Sequence, residues 1–204
     1  MCQIITIRVN HMKTHSAKAI KKKDKEARPD RVVIEASYGD TVAVGSFRNR
    51  TDIREVVIGK GIVSIEDEAF KGCTALRKVS LPKSLRSIGT GAFAGCSLLT
   101  DIEFPEDLTK IGDHAFKDCA MLRKIRLPSG LESIGTGAFA GCKSIIGFKI
   151  RGDNGRFHVS NGVLYMDDTL IMWPPGCVDD NVPLLAGLGH ISDGAFDGSG
   201  LNTI

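Results

Sequence analysis

Residues 69–91 read AFKGCTALRKVSLPKSLRSIGTG, and this 23-residue pattern sets the period of most of the chain. Residues 92–114 (AFAGCSLLTDIEFPEDLTKIGDH) and 115–137 (AFKDCAMLRKIRLPSGLESIGTG) repeat it. Five phenylalanines keep the same step, at Phe47, Phe70, Phe93, Phe116 and Phe139. Four cysteines and four isoleucines do so too, at Cys73, Cys96, Cys119, Cys142, Ile65, Ile88, Ile111 and Ile134. A fixed period of this length predicts a solenoid, in which copies of one short unit stack on each other.

A single unit is too small to fold alone. Its eight small or apolar positions, between Ile65 and Leu85, would contribute about 2 kcal/mol each, or roughly 15 kcal/mol together. Ordering the backbone costs about 1–2 kcal/mol per residue, which over a whole unit exceeds that gain. Neighbouring units must therefore stack, so we expect equivalent side chains to lie over one another in continuous apolar columns.

Each unit is predicted to contain one strand and one helical turn. In the segment Leu76–Pro82, apolar Val79 and Leu81 alternate with polar residues, which indicates a short strand that ends at the proline. Stacked copies would pair these strands in parallel. The segment Asp67–Phe70 predicts a single helical turn between strands. The expected fold class is therefore an α/β solenoid with a parallel sheet.

The repeated pattern AF-x-x-C-x-x-L-x-x-I-x-L-P-x-x-L-x-x-I-G resembles the BspA-type leucine-rich repeat, over residues 42–204. The resemblance implies an arc whose parallel sheet lies on the concave side. It also implies a family found largely on microbial surfaces, where its members act in adhesion and protein binding. No enzymatic activity is implied.

The period breaks after Phe139, because the next matching phenylalanine, Phe196, comes eleven residues later than two units require. Turn sequences at Asn161-Gly162 and Asp167-Asp168 lie between runs of branched and aromatic residues and predict β-hairpins. Trp173, the only tryptophan, could serve in binding, but it is expected to pack across them. The predicted divisions are a basic N-terminal arm at 1–31, leucine-rich repeats at 32–150, a β-hairpin insertion at 151–183 and a final partial repeat at 184–204. Because no polar capping unit follows, we expect either a fragment or self-association through the uncapped C-terminal end.

The first 31 residues carry nine Lys or Arg and three acids, a net charge of +6, whereas the whole chain carries +3. A strand is predicted at Ile4 to Val9 and a helix around Ser16 to Ala27. The arm could contact a polyanion, or it could be a solvated leader; no specific nucleic acid is expected, because no aromatic residue interleaves the charges. Its apolar stretch is short and precedes the charges, so it predicts neither a signal peptide nor a membrane span. The resemblance implies a secreted or surface location, which the missing signal leaves open.

Catalytic and metal chemistry find little support in the sequence. The in-step cysteines would all point the same way, which does not suit a disulfide, and no C-x-x-C pair offers half of a zinc site. They are expected to act as small buried hydrophobes. Cys2, His11 and His15 supply only three ligands, and His114 is expected to be exposed. We therefore expect no enzyme, no cofactor and no metal.

Charged residues on the solvent side of the predicted strands are the candidate ligand-binding residues: Lys78, Asp101, Glu103, Lys124, Arg126, Lys149 and Arg151. They would form either self-neutralising pairs or a mixed-charge strip that recognises a protein. Lys149 and Arg151 have no acid in the adjacent row, so this end is expected to be the more available one. The sequence thus predicts a non-catalytic leucine-rich repeat module for adhesion or recognition of a protein ligand. The alternative is an intracellular scaffold or assembly component whose basic arm binds a polyanion.

Overall fold

The computed structural model describes residues 4–9, 30–36, 40–176, 184 and 186–199. All regular elements in these residues are strands, and none is a helix. The strands are β1 (Ile4–Val9), β2 (Arg31–Ala36), β3 (Thr41–Val42), β4 (Glu55–Ile58), β5 (Ser64–Ile65), β6 (Lys78–Ser80), β7 (Ser87–Ile88), β8 (Asp101–Ile102), β9 (Lys110–Ile111), β10 (Ile125–Leu127), β11 (Ser133–Ile134), β12 (Phe148–Ile150), β13 (Phe157–Ser160), β14 (Val163–Met166), β15 (Thr169–Met172) and β16 (His190–Ile191).

The chain forms a parallel-strand solenoid of about seven coils, each of which contributes one strand to a front layer. The front strands pair in the order β1-β2-β4-β6-β8, and β10 pairs with β12; these two groups are called the front sheet below. Its register follows the repeat, because Lys78 lies opposite both Glu55 and Asp101. Val79 is buried between exposed Lys78 and half-buried Ser80, so the predicted strand before Pro82 is confirmed.

Five of the coils also contribute a strand to a second parallel sheet, the back sheet, which was not expected. Its strands have two residues each and pair in the order β11-β9-β7-β5-β3. The segment expected to be a helical turn contains turns instead, closed by bonds such as Lys71 N–H to Glu68 O at 3.1 Å. Glu68 has a φ of 56°, and the equivalent His114 has 53°. Because a right-handed helix needs negative φ, the expected helical turn, and with it the α/β class, is wrong.

The core is built from the predicted columns. The rings of Phe47, Phe70, Phe93, Phe116 and Phe139 form one stack, with successive centroids 5.0–5.4 Å apart and planes within 3–7°. The four in-step cysteines are fully buried beside it, as expected for small hydrophobes. Each thiol also donates to the carbonyl of a phenylalanine 26 residues earlier, for example Cys73 to Phe47 O at 3.1 Å.

The N-terminal strand predicted at Ile4 to Val9 is confirmed as β1. It pairs in parallel with β2 along its whole length, from Ile4 opposite Arg31 to Val9 opposite Ala36. The beginning of the predicted basic arm therefore extends the front sheet by one strand. The predicted helix around Ser16 to Ala27 lies outside the described residues.

Antiparallel strands follow the last regular coil. β13 pairs with β14 and β14 with β15, whereas β15 and β16 are parallel. Trp173 is buried in one apolar cluster with Val163, Tyr165 and Leu170 of β14 and β15, so the expectation that it packs against these strands is confirmed; its ring centroid also lies 5.9 Å from that of Phe196. The bounds of the predicted insertion and the concave placement of the front sheet stay predictions.

Candidate functional site

An open groove of about 840 Å³ lies on the solvent side of the front sheet, over β6 and β8. Charged side chains line it because the strand residues alternate: Val79 and Ile102 are buried in the core, whereas Lys78, Asp101 and Glu103 are exposed. Six of the seven charged residues singled out from the sequence line it: Lys78, Asp101, Glu103, Lys124, Arg126 and Arg151. The seventh, Lys149, lies outside the lining but directly opposite Arg126 on the neighbouring strand.

Most of these charged residues form no ion pair with a described residue. Lys78 and Asp101 face each other in register, yet they form no ion pair in the described structure. The same holds for Glu103, Lys124, Arg126 and Lys149. The sequence left two interpretations open, self-neutralising pairs and a strip that recognises a protein. None of these six residues forms an ion pair in the described structure, so the first interpretation gains no support.

Two cations are placed side by side at one end of the groove. Arg126 on β10 pairs in register with Lys149 on β12, and both side chains are exposed. Like charges directly opposite each other on paired strands are destabilising. The first coils show the opposite arrangement, since Arg31 lies opposite Glu55 and forms a 3.3 Å ion pair with it.

Arg151 is less available to a ligand than the lack of an acid in the adjacent coil predicted. Its guanidinium crosses the intervening coil and its Nη1 lies 2.9 Å from Glu106 Oε1. The same nitrogen lies 3.3 Å from the carbonyl oxygen of Phe104. The expectation of an unengaged cation is therefore wrong for Arg151, because its acid lies two coils away rather than one.

The groove coincides with an interruption of the front sheet. β8 pairs with β6 and β10 pairs with β12, but no ladder pair joins β8 to β10 among the described strands. The back sheet continues past this point, with Lys110 opposite Ser133. Phe104 occupies the position held by Leu81 and Leu127 in neighbouring coils, and its ring packs edge-on against Phe116 at 5.6 Å. The sequence pattern gives no signal for the interruption.

The buried thiols are unsuited to nucleophilic chemistry. Burial raises the pKa of Cys73 to about 12, and the neighbouring Cys96 adds to the shift. Burial also raises the pKa of Cys119 well above its ordinary value. Cys73 and Cys119 therefore stay protonated at neutral pH. Because the thiolate is the reactive form, they are poor nucleophiles.

The other residues considered for catalysis or metal binding do not lie together in the described structure. His114 is exposed, as expected, and His158 stacks on Tyr165 with 5.3 Å between ring centroids. Within the described residues no three His, Cys, Asp or Glu side chains come together as a metal site. Cys2, His11 and His15, the three possible ligands near the N-terminus, lie outside those residues. No helix of the described chain is long and apolar enough to cross a membrane.

These features define a parallel-strand repeat solenoid of the leucine-rich repeat class, whose members are typically protein-interaction modules. A family model for the BspA type leucine-rich repeat region matches residues 40–160, with six copies. The match covers more than half of the chain, so the protein belongs to the BspA-type leucine-rich repeat family, as the resemblance implied. None of the curated proteins gives a significant match.

Solved structures with the same fold are bacterial leucine-rich repeat proteins. One from T. pallidum is 32% identical over 58% of this chain and 57% of its own, with a TM-score of 0.56. The pneumococcal vaccine antigen PcpA is 22% identical over 80% of this chain and 41% of its own, with a TM-score of 0.65. A protein from Eubacterium ventriosum is 20% identical over 84% of this chain and 58% of its own, with a TM-score of 0.58. The chain therefore spans between two fifths and three fifths of these relatives, and the last two show the fold alone.

Proposed function

We propose that this chain is a non-catalytic module that recognises a protein ligand, in adhesion or a related role, through the groove on the front sheet. One observation carries the proposal: Arg126 and Lys149 lie opposite each other on paired strands, and no acid of the described chain pairs with either. Two like charges about 5 Å apart at exposed positions repel each other by on the order of 1 kcal/mol. This arrangement does not stabilise the fold, whereas it would favour the binding of an anionic ligand.

The remaining groove residues indicate what the ligand surface carries. Exposed Asp101 and Glu103 lie between Lys78 on one side and Lys124 and Arg126 on the other. A complementary surface would place acidic groups over Arg126 and Lys149 and a basic group over the two carboxylates. Charge complementarity of this kind selects partners and raises association rates more than it raises affinity.

Site-specific cross-linking tests the proposal. A photoreactive amino acid at Ser80, in the groove, is compared with one at exposed Lys117, which does not line the groove. A protein cross-linked only from position 80 is purified, and its affinity is measured for the unaltered chain and for R126E/K149E. We expect at least a tenfold loss in the double variant. Equal affinity of the two chains would remove the groove from the proposal.

A second candidate function rests on the charge of the N-terminal segment, because residues 1–31 contain nine Lys or Arg and three acids. β1 is paired with β2, so both ends of the intervening basic segment are attached to the front sheet. A polyanion contact there predicts nucleic-acid binding that weakens steeply as salt rises. Changing the seven Lys and Arg between residues 10 and 30 to glutamine would abolish that binding. Salt-independent binding, or none by the unaltered chain, would exclude this candidate.

A further inference from the structure

The arginines of the described chain fall into two groups. Six of the ten with described side chains pair with a carboxylate: Arg31, Arg48, Arg50, Arg86, Arg151 and Arg156. The other four form no ion pair with a described residue: Arg54, Arg77, Arg123 and Arg126. Arg126 belongs to the groove, but the remaining three lie together elsewhere.

Arg54, Arg77 and Arg123 occupy the same repeat position, at the corner where each coil enters the front sheet. Arg54 and Arg77 are on adjacent coils, since the Arg77 amide donates to the Arg54 carbonyl at 2.8 Å. Thr100 holds the next position, and Arg123 follows one coil later. Arg54 and Arg77 are about 4.8 Å apart along the solenoid, whereas Arg123 lies two coils beyond Arg77, across the interruption of the front sheet. All three side chains are exposed.

Two exposed apolar side chains flank the last of these arginines. Ile146 takes the next position after Arg123, and its amide donates to the Arg123 carbonyl at 3.2 Å. Met121 precedes Arg123 by two residues, with buried Leu122 between them. Ile146 is 48% exposed and Met121 is 44% exposed, and they are two of the five large hydrophobic residues exposed in the described chain.

We propose that Arg54, Arg77, Arg123, Met121 and Ile146, here called the arginine corner, form a second binding surface for an acidic protein segment that also carries apolar side chains. Arginine and methionine are enriched at protein interfaces, and arginine often dominates their energetics. An extended segment would have to cross three coils, a distance of at least about 14 Å, which takes about five residues or more at roughly 3.3 Å per residue. Single-stranded nucleic acid is disfavoured, because its sites use aromatic side chains for stacking and no described aromatic residue is exposed. This surface lies outside the groove of the proposed function.

A peptide probe tests the corner directly. A fluorescent peptide rich in Asp and Glu, with Leu and Phe among them, is titrated with the chain and followed by anisotropy. We expect saturable binding that weakens as salt rises, with at least a tenfold loss of affinity in R77E/R123E and at least a threefold loss in M121S/I146S. The control K60E/K110E changes the net charge equally at exposed positions away from the corner and is expected to bind normally.

Two further probes separate the alternatives. The same peptide with serine in place of Leu and Phe is expected to bind less tightly, and heparin, an anion without apolar groups, less tightly than the full peptide. Heparin binding that equals or exceeds peptide binding would replace the proposal by a polyanion site. Absence of peptide binding, or equal loss in the Lys60 and Lys110 control, would overturn it. The groove variant R126E/K149E is expected to keep peptide binding, so failure at the corner leaves the groove proposal standing.

Discussion

The Arg151 side chain passes over the coil that contains Pro128 and pairs with Glu106, with 2.9 Å between Nη1 and Oε1. In two other coils of the front sheet, the residue at the position of Pro128 donates its amide to the preceding coil: Gly59 N–H to Ile34 O at 2.7 Å and Arg151 N–H to Leu127 O at 2.9 Å. Pro128 has no amide hydrogen, so this bond cannot reach the Phe104 carbonyl. The Arg151 guanidinium lies 3.3 Å from that carbonyl and takes the place of the missing donor.

Replacing Arg151 with alanine is therefore expected to cost about 1–2 kcal/mol, since it removes a hydrogen bond to a carbonyl and a half-exposed ion pair. Hydrogen exchange should also speed up around Phe104 and Ile125, where the front sheet is interrupted. R48A is the matched control, because the Arg48 guanidinium pairs with Glu68 at 2.6 Å and has no bond to a backbone carbonyl in the described structure. We expect that variant to lose less stability than R151A, since an exposed ion pair contributes little. Equal losses in the two variants would mean that the link across Pro128 contributes nothing special.

Gly112 illustrates a second constraint, the close approach of successive coils. A Cβ atom at this position would lie 2.7 Å from the backbone carbon of Gly89 and 2.7 Å from the amide nitrogen of Thr90. Gly91 differs, because its φ of 59° suits glycine but a Cβ there would meet nothing closer than 3.8 Å. Substitutions at Gly112 and Gly91 therefore distinguish the effect of a clash between coils from the effect of backbone strain.

We expect G112A to lose about 3 kcal/mol or more, because the backbone of the preceding coil cannot yield as a side chain can. G91A should lose only about 1 kcal/mol, the cost of holding alanine in the left-handed region. Denaturant midpoints of the two variants provide the comparison. A larger loss in G91A than in G112A would show that φ, rather than coil spacing, selects glycine in this fold.

The core could be predicted from the sequence, because a side chain that recurs at a fixed step has the same surroundings in every coil. The phenylalanine stack and the burial of Cys73 follow from that rule. The repeat rule does not give the backbone conformation of the segment that was expected to be a helical turn. Glu68 and His114 in this segment adopt a positive φ, which is usually found in glycine. The engagement of Arg151 was missed because comparing adjacent rows does not detect a contact across two coils.

The Cys73 thiol gives the fold a pH dependence. Burial raises its pKa to about 12 from an ordinary value of 9.0, so the folded state favours the protonated thiol. Its contribution to stability is thus complete below pH 9 and is lost as the pH rises from 9 toward 12. C73A should show a shallower loss of stability across this range than the unaltered chain. Parallel pH profiles of the two proteins would contradict the assignment.

Asn154 connects the last regular coil to the antiparallel strands. Its Nδ2 donates to the carbonyl oxygens of Ser129 at 2.7 Å and Leu131 at 2.8 Å, and its Oδ1 accepts the Phe157 amide at 2.8 Å. N154D keeps the shape but places a carboxylate oxygen against two carbonyls, so we expect a loss of about 2–3 kcal/mol at pH 7. Part of that loss should return below pH 3, where the protonated acid can donate again. N161D makes the same chemical change at an exposed turn and should cost less than about 0.5 kcal/mol. If denaturation gave equal losses for the two variants, the Asn154 bonds would not hold the strands to the coil.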